Sequence, residues 1–566
     1  MTELDLIADN IKNKNLDKAL KLCKLNINSK NKEIIYNFLG VINFIKKDLN
    51  QAEKYFIDSS IVDETFQDPI RNLCVIYTNN KSYENLLKYS IKLYNLDKLN
   101  PVNIFQIGSA YELNKDYDKA IEYYEKYIDT NGCDKKKGYN NIGNIYLRKG
   151  KPKISINFFL KALEFDNNSK ILTNNILLCY LYLRDEKKSY EYLKKAELID
   201  ENYIEFLHNK AEYLILKNQV KEAEKILINN KNNTKFLITL IRLYFNSGQN
   251  EKGKELLDKS KELLKGNSDF FNYLGIRYLF EGNFEEGWKY YEFRKSKLTN
   301  LFRNINEWDG SNISDKSIVV YNEQGLGDSI QFSKYLFPLS KIAKEVTFVV
   351  QKSVKNLFKK LNNINIEIYE TCKDKKFDYK ISLGSLIKFF YKEKIDQSIN
   401  LIGLDETKKI DIENQIDFSK KNIGLVWSGS FLGPNEPYRS IPLNYFEKIL
   451  SLNGNFYTLQ NEIWERDLNY FNSIKSINCG DYKLDELASL ISKLDLVISS
   501  DTSILHLSAS LNVETWGILC LYPDWRWGKF NEINPYKNLK LFHQKIFNNW
   551  DFINTEVYNM LKKKLD

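Results

Sequence analysis

The chain has 566 residues, of which 43% are hydrophobic and 14% aromatic, and it carries a formal net charge of +9. A chain of this length is too long for one hydrophobic core, so we expect two to four domains, and this composition excludes general disorder. The 83 basic and 74 acidic residues are interspersed, so the positive excess predicts no nucleic-acid partner.

The N-terminal segment and the cysteines bear on where the protein acts. Residues 1–9 are acidic and amphipathic, without the basic and apolar segments of a secretory signal. A membrane span needs a run of about 18 apolar residues. No such run occurs in the sequence, so no membrane span is predicted. The seven cysteines are scattered without paired spacing, which favours a reducing compartment. We therefore expect a cytoplasmic protein.

A repeating pattern of small residues occupies the first half of the chain. An aromatic residue often stands sixteen positions after the small residue, as at Phe56, Tyr124, Phe159 and Tyr291. Small residues let two helices approach closely, and aromatic side chains fill the groove between them. The pattern predicts about eight helical hairpins over residues 1–297. The recurring small positions and their substitutes are Gly40, Cys74, Gly108, Gly143, Cys179, Ala211, Ile241 and Gly275.

The spacing between these positions is close to the period of the tetratricopeptide repeat, which is about 34 residues. The sequence resembles that repeat most closely at 33–66, 101–134, 136–169 and 268–297. The resemblance implies an all-helical superhelix whose concave face binds an extended peptide or another protein. A spacer or a dimerisation platform is the alternative. We expect a chain beginning near residue 268 to fold, with Trp288 and Tyr291 packed on the domain C-terminal to the repeats.

After Arg294 short apolar runs alternate with helical patterns, following a linker at 306–310. Such alternation predicts a doubly wound parallel sheet, and the polar stretch Leu404–Lys421 divides it into two Rossmann-like halves, 298–410 and 411–566. The predicted strands are Ser317–Tyr321, Glu345–Val350, Ile364–Tyr369, Tyr379–Leu383, Ile423–Trp427, Asn455–Leu459, Leu494–Ser499 and Glu514–Leu519.

Two of these strands are followed by a turn of small residues and then by a helical pattern. The first turn is Gly325–Asp328, and the second is Asp501–Ser503. A strand, a turn and a helix N-terminus form an anion site, because free backbone N–H groups and the helix dipole point at the ligand. The sequence therefore predicts two such sites facing each other across a cleft.

The order of the motifs resembles that in GT-B glycosyltransferases of the heptosyltransferase type, which is the type of glycosyltransferase family 9. More narrowly, it resembles bacterial proteins that fuse tetratricopeptide repeats to such a domain, some of which are similar to flagellin-modifying transferases. The motifs that carry the resemblance are Glu286–Arg294, Trp308–Gly310, Glu323–Phe332, Ile423–Gly429, Arg439–Pro442, Asp501–His506 and Tyr522–Trp527.

The resemblance implies an inverting glycosyltransferase that moves a sugar from a nucleotide-activated donor to a hydroxyl acceptor. The second half would bind the donor, and the acceptor would be a protein recruited by the repeats. No metal or other cofactor is implied: the α/β half has no Asp-x-Asp motif, and Asp116–Asp118 lies in a repeat turn. Alternatives are a glycan or lipopolysaccharide-type acceptor, and a non-catalytic interaction scaffold.

Asp328 would be the general base that deprotonates the acceptor hydroxyl, with Glu323 as the second candidate. Arg439 would neutralise charge on the leaving group, and His506 would contact phosphate or ribose. The loop Asp524–Trp527 would stack a base, pack an interface or contact the acceptor. The predicted donor-binding residues are Gly325, Gly327, Ser428, Arg439, Gln460, Asp501, Thr502, Ser503 and His506.

Overall fold

The structure is a computed structural model. It describes residues 2–297, 302, 304–358, 361, 363–372, 374–393, 395, 416–430, 438–533 and 536–566, with the backbone alone at 295–297 and 533. Among these residues no helix combines the length and the apolar character needed to cross a bilayer.

The chain divides into two compact units. The first comprises Met1–Tyr180 and Lys188–Tyr203, and the second comprises Leu181–Lys187 and Ile204–Asp566. The helices predicted over 1–297 therefore contribute to both units. The predicted boundary at 410/411 lies outside the described residues, as does residue 298, where the first half was predicted to begin.

Eighteen helices run through the described part of the chain up to Tyr291 and form nine antiparallel pairs, one more than the pattern predicted. The additional pair is the first, in which Ile7 occupies the position that a small residue takes in later pairs. The helices are α1 Glu3–Lys12, α2 Leu16–Leu25, α3 Lys32–Ile45, α4 Leu49–Val62, α5 Gln67–Asn79, α6 Tyr83–Leu96, α7 Pro101–Leu113, α8 Tyr117–Asp129, α9 Lys135–Arg148, α10 Pro152–Leu163, α11 Lys170–Leu183, α12 Glu186–Asp200, α13 Ile204–Leu216, α14 Val220–Asn229, α15 Thr234–Asn246, α16 Asn250–Leu263, α17 Ser268–Glu281 and α18 Phe284–Tyr291.

The turn inside every pair has the same backbone conformation. One residue with positive φ follows the first helix, which is the usual way to end a helix and reverse the chain. These residues are Lys14, Lys47, Lys81, Lys115, Gly150, Arg184, Asn218, Gly248 and Gly282.

The predicted contacts between small and aromatic residues are confirmed. A Cβ atom on Gly40 would lie 2.5 Å from the ring of Phe56, and one on Gly143 would lie 2.6 Å from the ring of Phe159. On Gly275 it would lie 2.4 Å from the backbone nitrogen of Tyr291. The glycines are therefore required by the distance between the paired helices.

We expect Gly275→Ala to destabilise the second unit by about 1–3 kcal/mol, because a backbone atom cannot move aside as a side chain can. The matched control is Gly253→Ala, also helical, where the nearest atom is a ring carbon of Phe245 at 3.0 Å. Urea unfolding followed by tryptophan fluorescence measures this, since all eight tryptophans lie at or beyond residue 288. Equal midpoints for the two variants would contradict the prediction.

Two parallel sheets follow the repeats, as the GT-B prediction requires. The strands are β1 Asn306–Glu307, β2 Ser317–Tyr321, β3 Glu345–Val349, β4 Ile364–Glu367, β5 Tyr379–Ser382, β6 Asn422–Val426, β7 Asn455–Thr458, β8 Ile477–Asn478, β9 Leu496–Ser500, β10 Thr515–Leu519 and β11 Leu539–His543. The first sheet has the strand order β1-β5-β2-β3-β4, and the second has the order β11-β10-β9-β6-β7-β8. The helices of this region are α19 Leu326–Phe332, α20 Leu336–Ile342, α21 Tyr369–Cys372, α22 Leu383–Phe390, α23 Glu447–Leu450, α24 Glu465–Phe471, α25 Leu484–Ile491, α26 Ser503–Ser510, α27 Lys529–Ile533 and α28 Glu556–Leu565.

All eight predicted strands are present, within two residues at each end. Three strands were missed: β1, β8 and β11. The segment 306–310 was predicted to be a linker, but Asn306 and Glu307 pair with β5 at the edge of the first sheet. Strands of two residues are too short to show an alternating pattern.

Helices α13–α15 belong to the hydrophobic core of the second sheet. Leu240 and Leu243 share one buried cluster with Trp427 and Trp516. A chain beginning near residue 268 would lack these helices and would expose to water the side chains of the second sheet that they cover. The prediction that such a chain folds is therefore wrong.

The last repeat, by contrast, packs as predicted. The rings of Trp288 and Tyr291 lie 5.4 and 5.5 Å from Trp525. Tyr522 stacks on Phe280 of α17 at 4.5 Å. The final helices thus fix the loop 522–528 of the second half.

Candidate active site

The first predicted turn lies at the carboxyl end of β2 and leads directly into α19. The backbone N–H of Gly325 donates to Oδ2 of Asp328 at 3.0 Å. Asp328 therefore caps its own helix, where the helix dipole favours a negative charge. Its side chain is 15% exposed, and burial raises its pKa above the ordinary value while Arg526 opposes the shift.

The second predicted turn follows β9 and begins α26. No side chain of the described residues caps this helix, whose N-cap is Thr502. Ser499 and Thr502 share a hydrogen bond of 3.1 Å between their hydroxyls. The first backbone N–H groups of α26 are therefore uncapped by a side chain and can bind an anion.

Helices α19 and α26 lie against each other at their N-termini. A Cβ on Gly327 would lie 3.0 Å from the imidazole of His506 and 3.4 Å from Cα of Ser503. The second glycine of the motif is thus needed for this contact between the two halves. The two predicted anion turns are brought together, as expected for ligands bound at the carboxyl ends of parallel strands.

Arg526 connects the two halves at this point. One of its terminal nitrogens pairs with Asp328 and the other pairs with Asp524. It also donates to Oε1 of Gln324 at 3.3 Å. The arginine side chain is 11% exposed, and burial among carboxylates makes these pairs strong. The guanidinium is therefore the positive centre of the site.

The aromatic residues of the loop 524–527 are structural. Trp525 is fully buried and stacks on Phe332 of α19, with ring centres 5.9 Å apart. Trp527 stacks on His506 at 5.1 Å with nearly parallel rings. Of the three roles predicted for this loop, the structure displays packing.

His506 is 4% exposed, lying between Trp527 and Gly327. Its Nδ1 is 3.3 Å from the hydroxyl of Tyr536. Burial lowers its pKa to about 3, so the ring is neutral at physiological pH. Its predicted contact with the donor stays a prediction, but a buried neutral ring offers no charge to a phosphate.

Glu323, the second candidate for the base, is enclosed in a buried ion pair. Its side chain is 1% exposed. Nη2 of Arg294 donates to it at 2.8 Å, and the N–H of Gly384 donates at 3.2 Å. A carboxylate held by these donors fixes the turn, and the role of Glu323 as second candidate for the base stays a prediction.

Arg439 lies beside the second turn. Its Nη1 donates to the backbone carbonyl of Asp501 at 2.9 Å. Its guanidinium rests on Gly429, where a Cβ would lie 2.4 Å from Nη2. Burial raises the pKa of Asp501, and Arg439 opposes the shift. The predicted leaving-group arginine is thus placed at the N-terminus of α26.

Ser428 and Gln460 are hydrogen-bonded to each other. The Gln460 amide donates to the carbonyl and the hydroxyl of Ser428 at 2.8 and 2.9 Å. Its oxygen accepts from the N–H groups of Trp427 and Ser428. Both side chains are almost fully buried, so in this conformation they shape the loop after β6, and their contact with a donor stays a prediction.

No individual role was predicted for Arg526, Asp524 or Arg294. Arg526 and Asp524 stand in the motif Tyr522–Trp527, beside the two tryptophans of the same loop. An arginine two residues from an aspartate in a loop after a strand was the available signal. The assembled site holds a carboxylate able to accept a proton, two arginines able to bind phosphate, and an open helix terminus.

Comparisons with known proteins agree with this division of the chain. A model of "Glycosyltransferase family 9 (heptosyltransferase)" matches residues 458–542, which include Gln460, the turn Asp501–Ser503, His506 and Arg526. A tetratricopeptide repeat model matches residues 103–132 and 137–169. The two repeats predicted at 101–134 and 136–169 are therefore confirmed.

A curated relative is a TPR repeat-containing protein of Methanocaldococcus jannaschii, 24% identical over 271 residues. The match covers 44% of this chain and 46% of that protein, so the chain spans about half the length of the curated relative it matches.

Solved structures similar to the chain include MamA, with 20% identity, 30% of this chain and 92% of that one covered, and a TM-score of 0.28. YrrB, described as a TPR protein with an unusual peptide-binding site, shares 17% identity, with coverages of 33% and 96% and a TM-score of 0.29. A tetratricopeptide repeat protein from Parabacteroides merdae shares 14% identity, with coverages of 43% and 96% and a TM-score of 0.36.

The chain thus joins an array of tetratricopeptide repeats to a region similar to glycosyltransferase family 9, and that similarity supports a glycosyltransferase.

Proposed function

We propose that the protein is an inverting, metal-independent glycosyltransferase that uses a nucleotide-activated sugar and acts on a hydroxyl of a protein recruited by its repeats. Asp328 takes the proton of the acceptor hydroxyl as that oxygen attacks the anomeric carbon. The bond from the anomeric carbon to phosphate breaks, and its electron pair leaves with the nucleotide. The reaction takes place in the cytoplasm of a bacterium.

One observation carries this proposal: the turn bearing Asp328 and the open N-terminus of α26 meet at the carboxyl ends of two parallel sheets. A phosphate bound at α26 would receive backbone N–H groups and the charge of Arg439. The sugar of the same donor would then extend toward the carboxylate of Asp328. General base and leaving-group stabiliser are the two functions that such a transfer requires.

The donor class is tested by thermal shift with UDP-, GDP-, ADP-, dTDP- and CMP-sugars. A ligand that binds only the folded state raises the unfolding midpoint by mass action. We expect one nucleotide series to stabilise the wild type. No shift with any of these donors would contradict donor binding and favour the non-catalytic scaffold.

We expect Arg439→Ala to weaken binding of that nucleotide by about 1.5–3 kcal/mol, because it removes a charge-assisted contact beside α26. Calorimetry with the nucleotide that stabilises the wild type measures this. Lys564→Ala is the control, since Lys564 forms a partly exposed ion pair with Glu514 in the same half. Unaltered affinity in Arg439→Ala would refute this placement of the leaving group.

The protein acceptor is tested by shortening the repeats. We expect a chain beginning at Lys170 to fold, because it retains the helices whose side chains share the core of the second sheet. Its transfer to a small acceptor mimic should match that of the full chain. Its rate on the protein acceptor should fall, since recruitment supplies an effective concentration of acceptor. Equal rates on the protein acceptor would favour the spacer or the glycan-acceptor alternative.

A further inference from the structure

Arg526 stands between three carboxylates contributed by both halves of the α/β region. It pairs with Asp328 from the first half and with Asp524 from its own loop. The charge of Asp501 also acts on it. Since Arg526 is 11% exposed and Asp328 15% exposed, this cluster lies just below the surface of the site.

The pairing has a direct consequence for Asp328 as a base. One oxygen of the carboxylate accepts from Arg526, and the other accepts from the N–H of Gly325 at 3.0 Å. Both oxygens therefore already accept a hydrogen bond, and the positive charge of Arg526 disfavours protonation of this carboxylate. The backbone donor is fixed by α19, so the arginine is the partner that can be exchanged.

The backbone around Arg526 is held firmly. Trp525 is buried against Trp288 and Phe332, and a Cβ on Gly528 would lie 2.4 Å from the carbonyl oxygen of Phe280. Any exchange of partners at Arg526 is therefore a rearrangement of its side chain, without movement of the loop.

A diphosphate offers a planar guanidinium a bidentate partner with more charge than one carboxylate. Resting on the function proposed above, we propose that Arg526 binds the diphosphate of the donor and thereby releases Asp328, so that the base becomes available only when the donor is bound. The proton of the acceptor hydroxyl then passes to Asp328, the new bond forms at the anomeric carbon, and the departing electron pair stays on the phosphate that Arg526 holds.

The test is calorimetry with inorganic pyrophosphate at constant ionic strength. If Asp328 competes for Arg526, Asp328→Asn should tighten pyrophosphate binding by about tenfold or more, the value of one charge-assisted hydrogen bond. Arg526→Gln should weaken binding by a similar factor. In the Arg526→Gln background, Asp328→Asn should change the affinity little.

This double-mutant cycle separates exchange from general electrostatics, because a merely repulsive Asp328 would tighten binding equally in both backgrounds. Equal tightening, or no tightening in the single variant, would overturn the proposal while leaving the glycosyltransferase function standing. No pyrophosphate binding by wild type or Asp328→Asn would overturn both the exchange and the phosphate site. Circular dichroism checks folding, and Arg526→Met, which also removes the charge, replaces Arg526→Gln if that variant unfolds.

Discussion

Asp328→Asn should reduce sugar transfer by about 10²–10⁴, because an amide cannot accept the proton of the acceptor hydroxyl. The amide oxygen can still accept from Gly325, so the helix cap and the fold should survive. Burial raises the pKa of Asp328. The wild-type rate should therefore fall on acidification at a pH above the ordinary aspartate pKa, since the protonated carboxyl is inactive as a base.

Rates with the stabilising donor and a small acceptor mimic, measured as a function of pH, check this prediction. Asp309→Asn is the control, because Asp309 lies in an exposed turn of the same half. His506→Gln should leave the acidic midpoint in place, since the ring is already neutral. A wild-type rate in Asp328→Asn would reject Asp328 as the base.

Arg294→Met should destabilise the second unit by about 3–5 kcal/mol, the usual cost of leaving a buried charge without its partner. Arg294 is 8% exposed and Glu323 is 1% exposed. The guanidinium also donates to the hydroxyls of Ser382 and Ser385 at 3.0 and 2.7 Å. The substitution would therefore remove the positive partner of a buried carboxylate, which would keep a neutral donor, the N–H of Gly384.

The double variant Arg294→Met/Glu323→Gln should recover part of the loss, because the uncompensated charge is gone. Lys289→Met is the control: its ion pair with Glu286 is exposed, and such pairs contribute about 0–1 kcal/mol. Urea unfolding followed by tryptophan fluorescence distinguishes the cases. A cost for Arg294→Met no larger than that for Lys289→Met would show that the pair is not needed for stability.

The features of this fold that are local in sequence were predictable. Buried parallel strands appear as apolar runs, and the turns Gly325–Asp328 and Asp501–Ser503 come directly after those runs. The repeat period was visible because each close helix contact requires a small residue, as Gly143 against Phe159 shows. Patterns of this kind depend on neighbours a few residues or one repeat away.

The partners within the site were not predictable, because they are distant in sequence. Arg526 meets Asp328 across 198 residues, and Arg439 meets Asp501 across 62. Likewise no pattern in the sequence indicates that the Gln460 amide donates its hydrogen bonds to Ser428. A polar residue after a strand is equally suited to a ligand or to a neighbouring loop, and only the packing of two sheets decides between them.

Nucleotide release from the donor that most stabilises the folded protein tests most directly whether this cleft transfers sugar. The wild type, given an acceptor mimic, should release nucleotide together with a sugar-modified acceptor, and Asp328→Asn should do so at a rate lower by about 10²–10⁴. Equal release by the two proteins, or no release by the wild type from any donor that it binds, would contradict glycosyl transfer at this site.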